Sequence, residues 1–393
     1  MKVRLTRRQF AGALGAGSLV AQTRKEWFQL RGGLPNSGKK FAAGGESRVA
    51  FLGGSITEMT GWRDLVCEHL TQRFPRTRFD FINAGISSTG STPGAFRLLR
   101  DVFGNGPVDL LFEEAAVNDS TNYFPAREQL RGMEGIVRHA RLVNPQLDIV
   151  LLHFVDPGKM TEIRAGRVPE VIATHERVAE RYKLPSIDLA REVTERIDAG
   201  EFTWEKDFKN LHPAPFGMQL YQRSIVRLFD AAWRRRPEGA LENYGLPEPL
   251  DEKSYYRGRL VDIAAAELGQ GWRIDPDWTP ADRAGTRKRF VHVPMLLSEK
   301  PGSECRFRFE GTAAGIFVAA GPDAGTAEFS FDGAAWRRRN LFTEWSPTLH
   351  IPWAHVLDGD LALGPHELRM RVSAEKDARS IGTAVRIVNL LAN

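Results

Sequence analysis

Two cysteines in 393 residues are too few for a disulfide framework. Cys67 and Cys305 also fall in regions that read as separate domains, so both are expected to be free thiols. No stretch reaches the ~18 to 20 consecutive apolar residues of a membrane-spanning helix, so no stable membrane insertion is expected. The histidines outside one loop (His69, His139, His153, His175, His292, His350, His355 and His366) are scattered, with no metal-ligand spacing. His139 and His175 lie inside helical patterns and read as surface or packing residues. Neither a metal nor a cofactor is expected. Charge is also scarce once its placement is considered. The net charge is +5, but residues 1–21 supply four of these through Lys2, Arg4, Arg7 and Arg8, with no acid. The remainder carries about +1, which gives no case for nucleic-acid binding.

What is present is an ordinary folded composition, 42% hydrophobic and 26% charged, with length enough for two domains. The first 21 residues read as an export signal. Thr6-Arg7-Arg8-Gln9-Phe10 is a twin-arginine pattern, and a run of small residues follows from Ala11 to Ala21. Cleavage is expected after Ala21. The expected destination is the periplasm or exterior of a bacterium, reached in the folded state.

From Arg48 to Trp233 the chain alternates strand and helix patterns. Strands are predicted at Val49–Leu52, Phe79–Asn83, Val108–Glu113, Asp148–Phe154 and Pro185–Leu189. Helices are predicted at Trp62–Phe74, Gly94–Val102, Arg127–Leu142, Pro169–Tyr182 and Phe216–Arg234. This rhythm predicts an α/β domain with a parallel sheet and helices on both faces. Beyond Arg234-Arg235-Arg236-Pro237 the pattern changes to short strands. Asp332-Gly333 marks a tight hairpin, and Gly364-Pro365 punctuates the run. The predicted organisation is a signal (1–21), an N-terminal extension (22–47), the α/β domain (48–236), a linker (237–250) and an antiparallel β-sandwich or jelly roll (251–393). Residues 25–45 could pack against the sandwich.

The chemistry gathers at the carboxyl ends of the predicted parallel strands, where open α/β sheets hold ligands. Phe51-Leu52-Gly53-Gly54-Ser55-Ile56-Thr57 places Ser55 between a buried strand and a helix start. A serine there can act as a nucleophile with backbone N–H groups nearby. Asn83-Ala84-Gly85 follows the second strand, and Gly85 can bring its N–H close to a ligand. Val117-Asn118-Asp119 follows the third, and Asn118 offers an amide. Leu211-His212-Pro213 precedes the last helix, from which His212 could reach Ser55 as a base. Glu58 and Arg63 could face the pocket. Trp62 reads as core, and Thr89, Ser91 and Thr92 as loop and capping residues.

These four blocks in this order resemble the SGNH hydrolase superfamily, the GDSL-type esterases, over roughly residues 48–233. The resemblance implies a flavodoxin-like three-layer fold with Ser55 as nucleophile and His212 as base. It also implies an oxyanion hole from Ser55, Gly85 and Asn118. Gly53-Gly54-Ser55 stands where Gly-Asp-Ser is commoner, and Ala116 stands for a glycine two residues before Asn118. The family's last block reads Asp-x-x-His, but here the residue three before His212 is Lys209, which cannot accept the ring N–H. The acid is then Asp207, the favoured choice, or Glu205; otherwise a backbone carbonyl orients the ring.

The expected function is an exported serine esterase that removes a short acyl group, most simply O-acetyl, from a carbohydrate. The partner would be a small-molecule or glycan ester. The alternatives are a lipid or thioester acylhydrolase and an inactive glycan-binding protein. Trp336 and Trp345 are candidate exposed aromatics of the sandwich.

Overall fold

The computed structural model describes residues 26–235 and 238–393; the predicted export signal lies outside them. Six strands form the first sheet: β1 (Phe28–Gln29), β2 (Gly45–Gly53), β3 (Thr77–Gly85), β4 (Leu110–Glu114), β5 (Asp148–Leu152) and β6 (Ser186–Ile187). Their spatial order is β1-β6-β5-β4-β2-β3. The five strands from β2 to β6 run parallel, and β1 closes the edge antiparallel to β6. This is the flavodoxin-like order, and its reversal point lies between β2 and β4.

The central strands are apolar on both faces, and their period-2 alternation divides the core. Val49, Phe51, Leu110 and Phe112 point to one side with Trp62, Phe154 and Phe229. Ala50, Leu52, Leu111 and Ile149 point to the other with Phe96, Met133 and Ile136. Each predicted helix is present within a few residues, as at Trp62–Arg73, Ser91–Asp101, Ala126–Val143, Glu170–Arg181 and Pro215–Ala232. The N-terminal extension departs from expectation. Instead of packing on the sandwich, it forms a helix, Pro35–Ala43, docked in the α/β domain. Phe41 meets Phe74, Phe79 and Trp233 edge-on. Ser37 gives both its N–H and its hydroxyl to the buried Asp148 carboxylate.

The C-terminal region is a sandwich of two antiparallel sheets. Its strands are β7 (Arg259–Val261), β8 (Ala266–Leu268), β9 (Arg273–Trp278), β10 (Val293–Ser298), β11 (Glu304–Gly311) and β12 (Ala314–Ala320). They continue as β13 (Thr326–Phe331), β14 (Arg337–Asn340), β15 (Ile351–Asp358), β16 (Gly364–Val372) and β17 (Val385–Ala392). One sheet runs β15-β12-β17-β10-β9, with β7 also paired to β17; the other runs β14-β13-β16-β11-β8. Asp332 and Gly333 turn the β13–β14 hairpin at φ 51° and 79°, the left-handed pair of a tight type I′ turn. Cys67 and Cys305 are unpaired thiols in different layers.

The two parts share a core. Phe317, Ala354 and Leu391 of the sandwich join Phe96, Leu130 and Met133 from helices of the α/β domain. Tyr255 packs against Phe96 and donates to Glu128 at 2.8 Å. The buried Arg131 guanidinium reaches Asp251, Asp360 and the Gly359 carbonyl. Glu134, also buried, accepts the N–H groups of Leu250 and Asp251.

Candidate active site

β2 ends at Gly53 and Gly54 follows it, because two other groups need the space. A Cβ on Gly53 would lie 2.5 Å from Thr57 Oγ1, and one on Gly54 would lie 2.0 Å from Asn118 Oδ1. Ser55 then opens a one-turn helix, Ser55–Glu58. Trp62, fully buried as expected, donates its indole N–H to the Ile56 carbonyl and fixes that turn from below.

Ser55 Oγ and His212 Nε2 are 2.7 Å apart, within hydrogen-bond reach, across 157 residues of chain. His212 sits on the loop before helix Pro215–Ala232, and its backbone N–H donates to Asn210 Oδ1. Partial burial, and then the positive Arg287 nearby, hold the imidazole below its ordinary pKa. A neutral ring is the form that can take a proton from Ser55. The acid limb of kcat/KM should therefore lie below the ordinary histidine value of about 6.5. A limb above 6.5 would indicate a carboxylate behind the ring.

The structure does not bring Asp207 to His212. Residues Trp204–Phe208 wind as a single wide helical turn, and the Asp207 carboxylate folds back to accept from Thr203 N–H and Oγ1 at 2.8 and 3.1 Å. Glu205 is exposed and lines a different cleft, with Pro157, Phe202 and Trp204. Lys209 follows at φ 82°. Among the described residues no carboxylate is hydrogen-bonded to the His212 ring. Asp207→Asn is thus expected to leave kcat within about twofold. Loss of the orienting aspartate from a complete triad costs ~10⁴-fold. Steady-state kinetics on a soluble ester separates the two cases.

Gly85 is placed differently from expectation as well. Its N–H donates to Asn83 Oδ1 at 3.0 Å, and its missing side chain admits the Thr57–Glu58 backbone. It is a close-packing glycine rather than a donor facing Ser55. The residue that lines the cavity with Ser55, Asn118 and His212 is Ser88. Ser88 has φ 70°, a left-handed conformation. The Ser87 N–H and hydroxyl are held by the Glu58 carboxylate. Thr89 N–H is held by the Ile86 carbonyl. Asn122 supports the Ser88 carbonyl at 3.1 Å. Among the described residues, no acceptor takes the N–H of Ser55 or Ser88, or the Asn118 side-chain amide. The sequence signal for Ser88 is the run of small residues from Ser87 to Gly90, which reads as loop and cap.

Asn118 is carried on the short helix Ala116–Thr121. The buried Glu114, its pKa pushed up to about 7 chiefly by burial, accepts the Val117 N–H at the start of that helix. Asp119 beside it is fully buried and accepts from Ser91 N–H, Ser91 Oγ and His175 Nε2. His175 is thus a buried partner of the asparagine-bearing helix rather than a surface residue. Glu58 supports the Ser87 loop, and Arg63 donates to the Thr57 carbonyl.

The cavity over Ser55 is small, about 160 Å³, and both parts of the chain build it. The α/β domain supplies Ser55, Ser88, Val117, Asn118, Thr121, Asn122, Leu211 and His212. The sandwich supplies Arg287, Trp345, Leu349 and Ile351. Trp345 remains 44% exposed at its edge. Trp336 is elsewhere, beneath the Arg371 guanidinium at 4.2 Å.

Residues 51–220 match the GDSL-like Lipase/Acylhydrolase family. Among solved structures, the chain is similar to a two-domain esterase active on acetylated mannans, co-crystallised with mannopentaose. The TM-score is 0.70 at 22% identity, over 90% of this chain and 92% of that one. Another crystal structure of a two-domain esterase active on acetylated mannans aligns with TM-score 0.69 and 23% identity, over 92% and 96%. At these identities the likeness establishes the two-part fold. No curated protein matches the sequence.

Proposed function

We propose that this protein, an ester-hydrolysing enzyme whose residues 51–220 belong to the GDSL-like lipase/acylhydrolase family, removes short acyl groups from a carbohydrate by way of an acyl-serine. The observation that carries the proposal is the 2.7 Å approach of Ser55 Oγ to His212 Nε2 at the floor of a small two-walled cavity. His212 takes the Ser55 proton as Oγ attacks the ester carbonyl carbon. The N–H groups of Ser55 and Ser88 and the Asn118 amide receive the negative oxygen of the tetrahedral intermediate. The C–O bond to the alcohol then breaks, and His212 returns its proton to that alcohol. Water, activated by the same imidazole, releases the acid and restores Ser55. Among the described residues no carboxylate backs the imidazole, which supports reading the pair as a Ser-His dyad.

The cavity volume favours a short acyl group. It is well below the ~300 to 1,000 Å³ of pockets that enclose drug-sized ligands, which argues against a long lipid chain. Trp345 at the rim offers an aromatic face to a sugar ring, and the similar two-domain esterases act on acetylated mannans. The inactive-binder reading gains nothing from a serine and a histidine already within hydrogen-bond reach. Our reading keeps domain limits at 48–236 and 251–393, joined by the linker 237–250. Export rests on the twin-arginine pattern; among the described residues no helix is long and apolar enough to cross a membrane.

Two measurements test the proposal. Acetate release from acetylated oligosaccharides should be readily detected. On p-nitrophenyl esters, kcat/KM should fall at least about tenfold from acetate to octanoate, as one poorly seated acyl chain would produce. A preference for octanoate would return the lipid reading.

A further inference from the structure

Of the twelve residues lining the cavity none is acidic, and Arg287 is the only one with a fixed charge. Among the described residues, Arg287 has no carboxylate partner. One of its terminal nitrogens donates to Ser88 Oγ at 3.2 Å. A part-buried guanidinium without a counter-ion is unfavourable. Its place on the cavity wall is explained if an anion completes the site when substrate binds.

The surrounding loop points the same way. Residues 279–292 join β9 to β10 and carry Arg283, Arg287, Lys288 and Arg289. None of these four is in an ion pair among the described residues; the loop's Asp282 is held by His350. The loop is tied along the cavity wall. Gly285 N–H donates to the Thr348 carbonyl and His350 N–H to the Gly285 carbonyl, on either side of the lining residue Leu349. Arg289 reaches the Asn83 carbonyl, at the carboxyl end of β3.

We propose that the sandwich sets the charge of the substrate: Arg287, backed by the basic loop at the rim, receives a carboxylate carried by the acylated glycan, so the preferred substrate is an acylated uronate-bearing saccharide. This rests on the esterase reading above. A guanidinium presents parallel N–H donors that match a planar carboxylate, which suits Arg better than Lys at the innermost position. The oxyanion already has three neutral donors, so Arg287 is available to the alcohol side of the ester.

The test uses the full chain and one acetylated oligouronide in two forms, with free carboxylates and with those carboxylates methyl-esterified. p-Nitrophenyl acetate serves as a neutral control. Wild-type kcat/KM should be at least about tenfold higher for the free-carboxylate form. That preference should shrink as salt rises from 0.05 to roughly 0.5 M, as screened charges require. In Arg287→Gln the ratio between the two forms should fall to about one. A wild-type ratio near one, or failure to cleave the oligouronide, with p-nitrophenyl acetate turned over, overturns the acidic-glycan inference and leaves the esterase intact. No turnover of any ester removes the esterase reading and this one with it.

Discussion

Replacing Ser55 by alanine is expected to lower kcat on p-nitrophenyl acetate by at least about a thousandfold, with the thermal midpoint unchanged within a few degrees. The size follows from chemistry. Without Oγ no acyl-enzyme forms, and only the oxyanion donors and the bound geometry remain to assist water. Stability should hold because the hydroxyl faces the cavity and its hydrogen-bond partner, His212, stays exposed to solvent on one side. Alanine is also a good residue for the first turn of the Ser55–Glu58 helix. Turnover that survived the change would remove Ser55 as nucleophile.

Deletion of residues 245–393 is expected to leave an insoluble or unfolded α/β domain rather than an active one. The cut strips Tyr255, Phe317, Ala354 and Leu391 from a core that contains Phe96, Leu130 and Met133. Each large apolar side chain returned to water costs ~1.5 to 3 kcal/mol, against a total stability of ~5 to 15 kcal/mol for a domain. The ionic cost adds to this. Arg131 would lose Asp251, Asp360 and the Gly359 carbonyl, and Glu134 would lose two N–H donors. Soluble yield and far-UV circular dichroism read the outcome. A folded fragment would mean the sandwich is only docked. The cavity would still lose the wall that holds Arg287 and Trp345.

Much of the α/β architecture was legible because burial on both faces of a parallel sheet leaves long apolar runs. Val49–Leu52 and Leu110–Phe112 are such runs. The helix Pro35–Ala43 was not legible because Phe41 is its one large apolar residue and polar groups supply the rest of its docking. Ser37 binds Asp148, and Asn36 spans Gln146 and Glu242. In the site, the strand-end positions of Ser55 and Asn118 and the place of His212 just before the last helix could be read from local patterns. Asp207 could not, since five residues of separation say nothing about which way a wide turn aims its carboxylate. Ser88 was hidden because its left-handed backbone is the kind that usually advertises itself with glycine. Arg287 lay beyond any spacing rule, since only the packing of the sandwich on the α/β domain brings it to a serine 232 positions earlier.

The contact between Gly54 and Asn118 has a consequence for how this sequence can change. Aspartate, the commoner residue before the serine in such blocks, cannot simply be restored here. Its first side-chain carbon would occupy the place where the Asn118 amide oxygen rests, 2.0 Å away. Shifting Asn118 to make room would withdraw its N–H donor from the oxyanion. The two positions are therefore mutually conditioned: Gly54→Asp should be tolerated only alongside a compensating change at or around Asn118. In a library randomised at both positions, active clones should show correlated pairs rather than independent choices.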